Sequence, residues 1–100
     1  EKNVYHGLIN LNTGFDAPSI FYFSESSFEK ILNRVEKLGI GIYGIEVWAN
    51  NHYFDVRLFD EYSEKPTDPN WYQKAYQELK NQGEKKLQYS ASYYIPNIDN

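Results

Sequence analysis

One hundred residues of 11.8 kDa make a single domain, because halves of that length would each be too small to bury a stable core. The chain has no Cys, so neither a disulfide nor a thiolate is available, and its net charge of −4 excludes the basic face with which proteins meet nucleic-acid phosphates. An 18% aromatic content excludes a disordered chain, and no apolar run approaches the ~20 residues of a membrane span. No basic-then-apolar leader opens the chain, and the cytoplasm is the expected setting.

Val4 to Leu11 alternates loosely and predicts a first strand, closed by the turn residues Asn12, Thr13 and Gly14. Ile20 to Phe23 predicts an extra edge strand within 15–23, because Pro18 bars a central position, or else a packed loop. Ser26 and Glu29 have the spacing of a capping box and open a helix over 26–38. Phe28, Ile31, Leu32, Val35 and Leu38 form its apolar face, and Gly39 supplies the left-handed stop. Ile40 to Ala49 and His52 to Phe59 read as a hairpin around Asn50 and Asn51. After a polar loop, Asp68 caps and Pro69 opens a second helix with Tyr72, Ala75, Tyr76 and Leu79 on its buried stripe, ending before Gly83. Leu87 to Ile95 alternates as a half-buried strand that Pro96 stops. The order βαββαβ predicts an α+β domain over 1–100, ferredoxin-like, with two helices on one face of a mostly antiparallel sheet and the other face open.

The net charge is unevenly spread. Residues 41–70 hold Glu46, Asp55, Asp60, Glu61, Glu64 and Asp68 against Arg57 and Lys65, and carry the whole −4. Pairing the hairpin outward from Asn50 and Asn51 puts Val47 opposite Phe54 and Ile45 opposite Val56 on a core face. The other face then shows Trp48 opposite Tyr53, Glu46 opposite Asp55, and Gly44 opposite Arg57. Two carboxylates directly opposite cost stability, and aromatics around such a pair have the makeup of a binding hot spot. A one-residue slip would exchange the faces. Among the tyrosines, Tyr72, Tyr76, Tyr89 and Tyr93 are expected in the core, and Tyr53, Tyr62 and Tyr94 at open positions.

Catalytic patterns are thin. His6 and His52 are the only histidines, and no zinc spacing, nucleophile elbow or phosphate loop accompanies them. Gly39, Gly41 and Gly44 are spaced like a dinucleotide fingerprint, but they follow a helix and open a strand, so a helix stop, a bulge and close packing are expected of them. No metal and no cofactor are expected.

The helix from Phe28 to Leu38, the glycine break and the run Gly39-Ile40-Gly41-Ile42-Tyr43-Gly44-Ile45-Glu46-Val47-Trp48 resemble the middle of small bacterial immunity proteins. These guard cells against nuclease-type colicins and contact-dependent-inhibition toxins. The resemblance covers roughly residues 28–60. It implies a noncatalytic inhibitor that binds a basic ribonuclease toxin domain, with an acidic, aromatic surface in place of the RNA. The partner-binding residues expected are Glu46, Trp48, Tyr53, Asp55, Arg57, Phe59, Asp60 and Glu61. The competing expectations are a small RNA-cleaving or nucleotide-processing enzyme using His6 or His52, and a ferredoxin-like interaction subunit.

Overall fold

The computed structural model describes residues 2–14, 20–49, 52–62, 65–82 and 87–95. The turn expected at Asn50 and Asn51, Pro18, Gly83 and Pro96 lie outside them. Helix α1 (Lys2–Tyr5) is followed by α2 (Glu25–Leu38), the strands β1 (Gly41–Ala49) and β2 (His52–Leu58), a 3-10 turn (Phe59–Tyr62), α3 (Pro69–Lys80) and β3 (Leu87–Tyr94). The strands form one antiparallel sheet in the order β2-β1-β3. The α+β class and the antiparallel sheet are as the sequence predicts.

The first strand is not formed. Residues 2–5 are helical, and Gly7, at φ 78°, turns the chain where a strand would have continued. Arg34 of α2 donates to the carbonyl oxygens of Val4 and His6 at 2.9 and 2.7 Å, using acceptors a strand would have needed. Farther on, the Asn10 side chain accepts from the Tyr22 amide at 2.9 Å, and Asn12 donates to the Ile20 carbonyl at 2.8 Å. These side-chain bonds flank one backbone bond, from the Leu11 amide to the Tyr22 carbonyl at 2.7 Å, between 10–12 and 20–22. Segment 20–23 meets the sheet through a single bridge, Phe23 to Tyr89, rather than as an edge strand. β3 pairs with β1, so the first strand of the hairpin is the central strand of the sheet.

The cap of α2 falls two residues earlier than expected. Ser24 accepts from the Ser27 amide, while Glu29 turns away to accept from Tyr76 and Lys80 at 2.8 and 3.2 Å. The predicted stop holds: Gly39 has φ 73° and its amide reaches the Glu36 carbonyl. Phe28, Ile31, Leu32 and Val35 are buried as predicted, whereas Leu38 is half exposed. Asp68 caps α3 by accepting from Asn70, with Pro69 in the first turn. The buried stripe of α3 gains Trp71, whose indole N–H donates to the Ile42 carbonyl.

Both helices cover one side of the sheet. Ile42, Ile45 and Val47 of β1 and Leu87 and Tyr89 of β3 join the helix residues in one buried cluster. Burying such side chains contributes roughly 1.5–3 kcal/mol each. The rings of Phe28, Tyr76 and Tyr89 meet within it, Phe28 stacked on Tyr89 and Tyr76 tilted against both. Tyr72, Tyr76 and Tyr89 are buried as expected, and Tyr93 is partly buried. Tyr62, expected at an open position, packs against Trp71.

Candidate functional site

The register of the hairpin decides which side chains share a face. Trp48 pairs with Tyr53 as predicted, but a bulge follows, so that Val47 pairs with Asp55, Glu46 with Val56, Ile45 with Arg57 and Gly44 with Leu58. The extra residue is Phe54, which packs against the core. Glu46 and Asp55 are therefore not neighbours on one face. Glu46 points away from the helices, and Asp55 points toward them. Arg57 moves with Asp55.

On the helix side these charges neutralise one another. Arg57 donates to Glu78 at 2.6 Å, to the Tyr62 hydroxyl at 3.0 Å and to Asp55 at 3.4 Å. Tyr62 donates in turn to the same Glu78 oxygen at 2.7 Å, and Gln82 donates to Asp55 at 3.0 Å. The Tyr62 hydrogen bond, aided by Arg57, holds Glu78 below the usual carboxylate range. Burial pushes Asp55 up, but the Gln82 and Val56 N–H groups and Arg57 together outweigh it and leave Asp55 lowered. Arg57 is held up, first by its hydrogen bond with Tyr62, and burial with the Glu78 bond raises Tyr62. This is a structural network that locks β2 onto α3.

The outer side is different. Alternate residues Gly44, Glu46 and Trp48 of β1 lie between Leu58, Val56 and Tyr53 of β2 and Ser92, Ser90 and Gln88 of β3. The Trp48 indole N–H donates to Glu46 Oε2 at 2.8 Å and fixes that carboxylate. Among the described residues no cation pairs with Glu46. Tyr22, wholly buried, packs edge-on against Trp48 from the crossing segment, and Tyr53 meets the other side of the indole while 56% exposed. At the opposite end a second bulge sets Tyr43 beside Tyr94 and Phe59. Between the two aromatic ends runs a groove of about 320 Å³. Its floor and walls come from Gly44, Glu46, Val56, Leu58, Ser90 and Ile20.

Of the predicted site residues, the outer face thus brings together Glu46, Trp48 and Tyr53. Asp55 and Arg57 are withdrawn to the helix side. Phe59 is partly buried under Tyr43, and Asp60 and Glu61 are exposed on the 3-10 turn beyond β2. His6 and His52 are exposed on separate elements, one after α1 and one opening β2. The glycines of the apparent fingerprint serve packing: a Cβ on Gly41 would lie 2.7 Å from the Pro66 backbone, and one on Gly44 would lie 2.8 Å from Leu58. Sequence reasoning missed Tyr22, Tyr43, Ser90 and Ser92 as parts of this face. The alternation of β3, with Gln88, Ser90, Ser92 and Tyr94 on the polar side, was the signal for the last two.

Among the described residues, no group of three or more His, Asp or Glu could hold a metal ion, and no helix is long and apolar enough to cross a membrane. No family model matches the chain, and no characterised protein or solved structure is significantly similar to it.

Proposed function

We propose that this protein is a noncatalytic inhibitor of a basic partner, an immunity protein that acts in the cytoplasm on a ribonuclease toxin domain. The observation that carries the reading is the outer sheet face. Glu46 stands there with no cation beside it among the described residues, between the indole of Trp48 and the exposed ring of Tyr53. A ribonuclease meets the phosphates of its substrate with Lys and Arg side chains. A fixed carboxylate framed by large rigid rings complements such a surface and occupies the place of RNA. Asp60 and Glu61 add exposed negative charge nearby in the chain, which speeds encounter more than it tightens the complex.

The test is RNA cleavage by a candidate ribonuclease toxin domain, with and without added protein. The expected result is stoichiometric inhibition by the wild type and a loss of at least ~2 kcal/mol of binding for Trp48→Ala. Asp60→Asn with Glu61→Gln should slow association at low salt and have no effect at high salt. A nuclease domain that neither binds nor is inhibited removes the reading.

A further inference from the structure

We propose that the groove on the outer sheet face is a receptor for one arginine side chain of the protein partner. The inference rests on the reading above, that the partner is a basic protein. Along β1 the groove runs from Gly44 to Glu46, which a strand's rise places roughly 7 Å apart. An aliphatic stem lying along Leu58 and Val56 would deliver its charge to Glu46. Leu58 leans over residue 44 because that residue has no side chain: a Cβ there would come within 2.8 Å of Leu58 Cδ2 and 3.7 Å of Ser92 Oγ.

The polar groups favour a guanidinium. Glu46 is oriented by Trp48 through one oxygen, Oε2. Ser90 is only 6% exposed, and neither it nor Ser92 has a side-chain hydrogen bond within the described residues. Both hydroxyls line the groove and can accept from a donor brought into it. A guanidinium carries a planar fork of five donors, enough for a carboxylate and two hydroxyls together. An ammonium is a compact, strongly hydrated charge and uses none of this planarity.

The probe is capped arginine, Nα-acetyl-arginine methylamide, titrated into the ¹⁵N-labelled protein. Trp48 reports directly, since its indole N–H bonds to Glu46. Trp71, whose indole N–H is buried against the Ile42 carbonyl, serves as the internal control. The expected result is a saturating shift of the Trp48 indole resonance with Trp71 unmoved. Capped citrulline, the neutral counterpart, and the variant Glu46→Gln should each bind about tenfold more weakly or worse. Gly44→Ala, which pushes Leu58 into the groove, should also weaken binding. A Trp48 resonance that does not move, an equal response to citrulline, or full affinity in Glu46→Gln overturns the proposal. Capped lysine binding as well as capped arginine overturns the assignment to arginine. If capped arginine binds but no nuclease domain does, the groove stands and the immunity reading falls. If the nuclease domain is inhibited equally by Glu46→Gln and the probe is silent, the immunity reading stands and the groove is not its contact.

Discussion

The two faces of the sheet carry the same kinds of side chain and treat them in opposite ways. Toward the helices, Asp55, Arg57, Tyr62 and Glu78 bind one another, and each charge has a countercharge within 3.4 Å. Away from the helices, Glu46 has one indole N–H and no cation among the described residues. Stability therefore accounts for the polar groups of the inner face. It gives no reason for a carboxylate on the outer one, where a neutral residue would serve the sheet equally well. A single residue of register separates the two environments, because the bulge at Phe54 decides which acid faces which way.

The largest expected effect tests that separation at adjacent positions of β1. Ile45 is wholly buried against the helices, so Ile45→Asp puts an unpaired charge in the core and should cost several kcal/mol or abolish folding. Ile31→Asp on α2 should do the same. Glu46, the next residue along the strand, should tolerate a polar change. Thermal melts of these variants check it; an Ile45→Asp variant melting within a degree of wild type would refute the facing assigned to β1.

Alkaline pH should attack the inner face. Tyr72, Tyr76 and Tyr89 are buried and their hydroxyls are raised, Tyr72 to about 12 by burial with some help from Glu36 and Asp68. A folded value above the unfolded one means stability that is complete below pH ~10 and is lost as pH rises through the folded value. Tyrosinate absorbance should therefore include a component that appears only together with loss of far-ultraviolet circular dichroism. At the acid end the signs reverse: Glu29, Asp55 and Glu78 are lowered, so their contribution is complete above the ordinary carboxylate value and fades as pH falls through the lowered ones.

Removing Arg57 comes next. Arg57→Met keeps the stem but strips the cation from Asp55 and Glu78. The pairs are partly exposed, which reduces the penalty of a fully buried break to about 1–2 kcal/mol. Asp55→Asn combined with Arg57→Met should cost less than the two singles added together, since they share one network. Strict additivity in a double-mutant cycle of melts would show that the network is not a unit.

Much of the inner face was legible in the sequence, because its signals are local. Apolar spacing with the Gly39 stop and the Asp68 cap marks out α2 and α3, although the N-cap of α2 is Ser24 and not Ser26, and alternation gives β3 its two sides. What escaped depends on tertiary partners. The 4–11 segment has strand-like composition, but Arg34 takes the Val4 and His6 carbonyls, and the Asn10 and Asn12 side chains together with the Leu11 amide tie its end to 20–22 instead of to the sheet. The bulge at Phe54 leaves no mark on composition, since Phe54 packs inward with or without it; only Glu78 near the end of α3 and Gln82 just beyond it would have hinted that Asp55 and Arg57 turn toward a helix. Glu46, Trp48 and Tyr53 stayed together because Trp48 and Tyr53 lie on the turn side of the bulge.

A smaller pair of effects probes the exception on the inner face. Tyr76 donates to Glu29 at 2.8 Å, whereas the buried Tyr72 hydroxyl has no hydrogen-bond partner. Tyr76→Phe should cost about 1 kcal/mol, and Tyr72→Phe should be neutral or stabilising, because it removes an unsatisfied polar atom without changing the packing. Denaturant melts of the two variants decide between these outcomes, and an equal loss in both would place a hydrogen-bonding group next to Tyr72.

The smallest stability change belongs to Glu46. In Glu46→Gln the amide oxygen can still accept from the Trp48 indole, so only the charge is lost, and with no cation nearby among the described residues the melting free energy should move by less than about 0.5 kcal/mol. Asp55→Asn is the matched change on the other face. There the side chain accepts from Val56, Gln82 and Arg57, and substituting its carboxylate weakens a charge-assisted set, at about 1 kcal/mol. Binding should invert the order: Glu46→Gln should lose partner affinity mainly through faster dissociation, and Asp55→Asn should keep it. Two variants with equal stability loss and equal affinity would mean that the bulge does not separate the acids, and the outer face would lose its claim to be the binding surface.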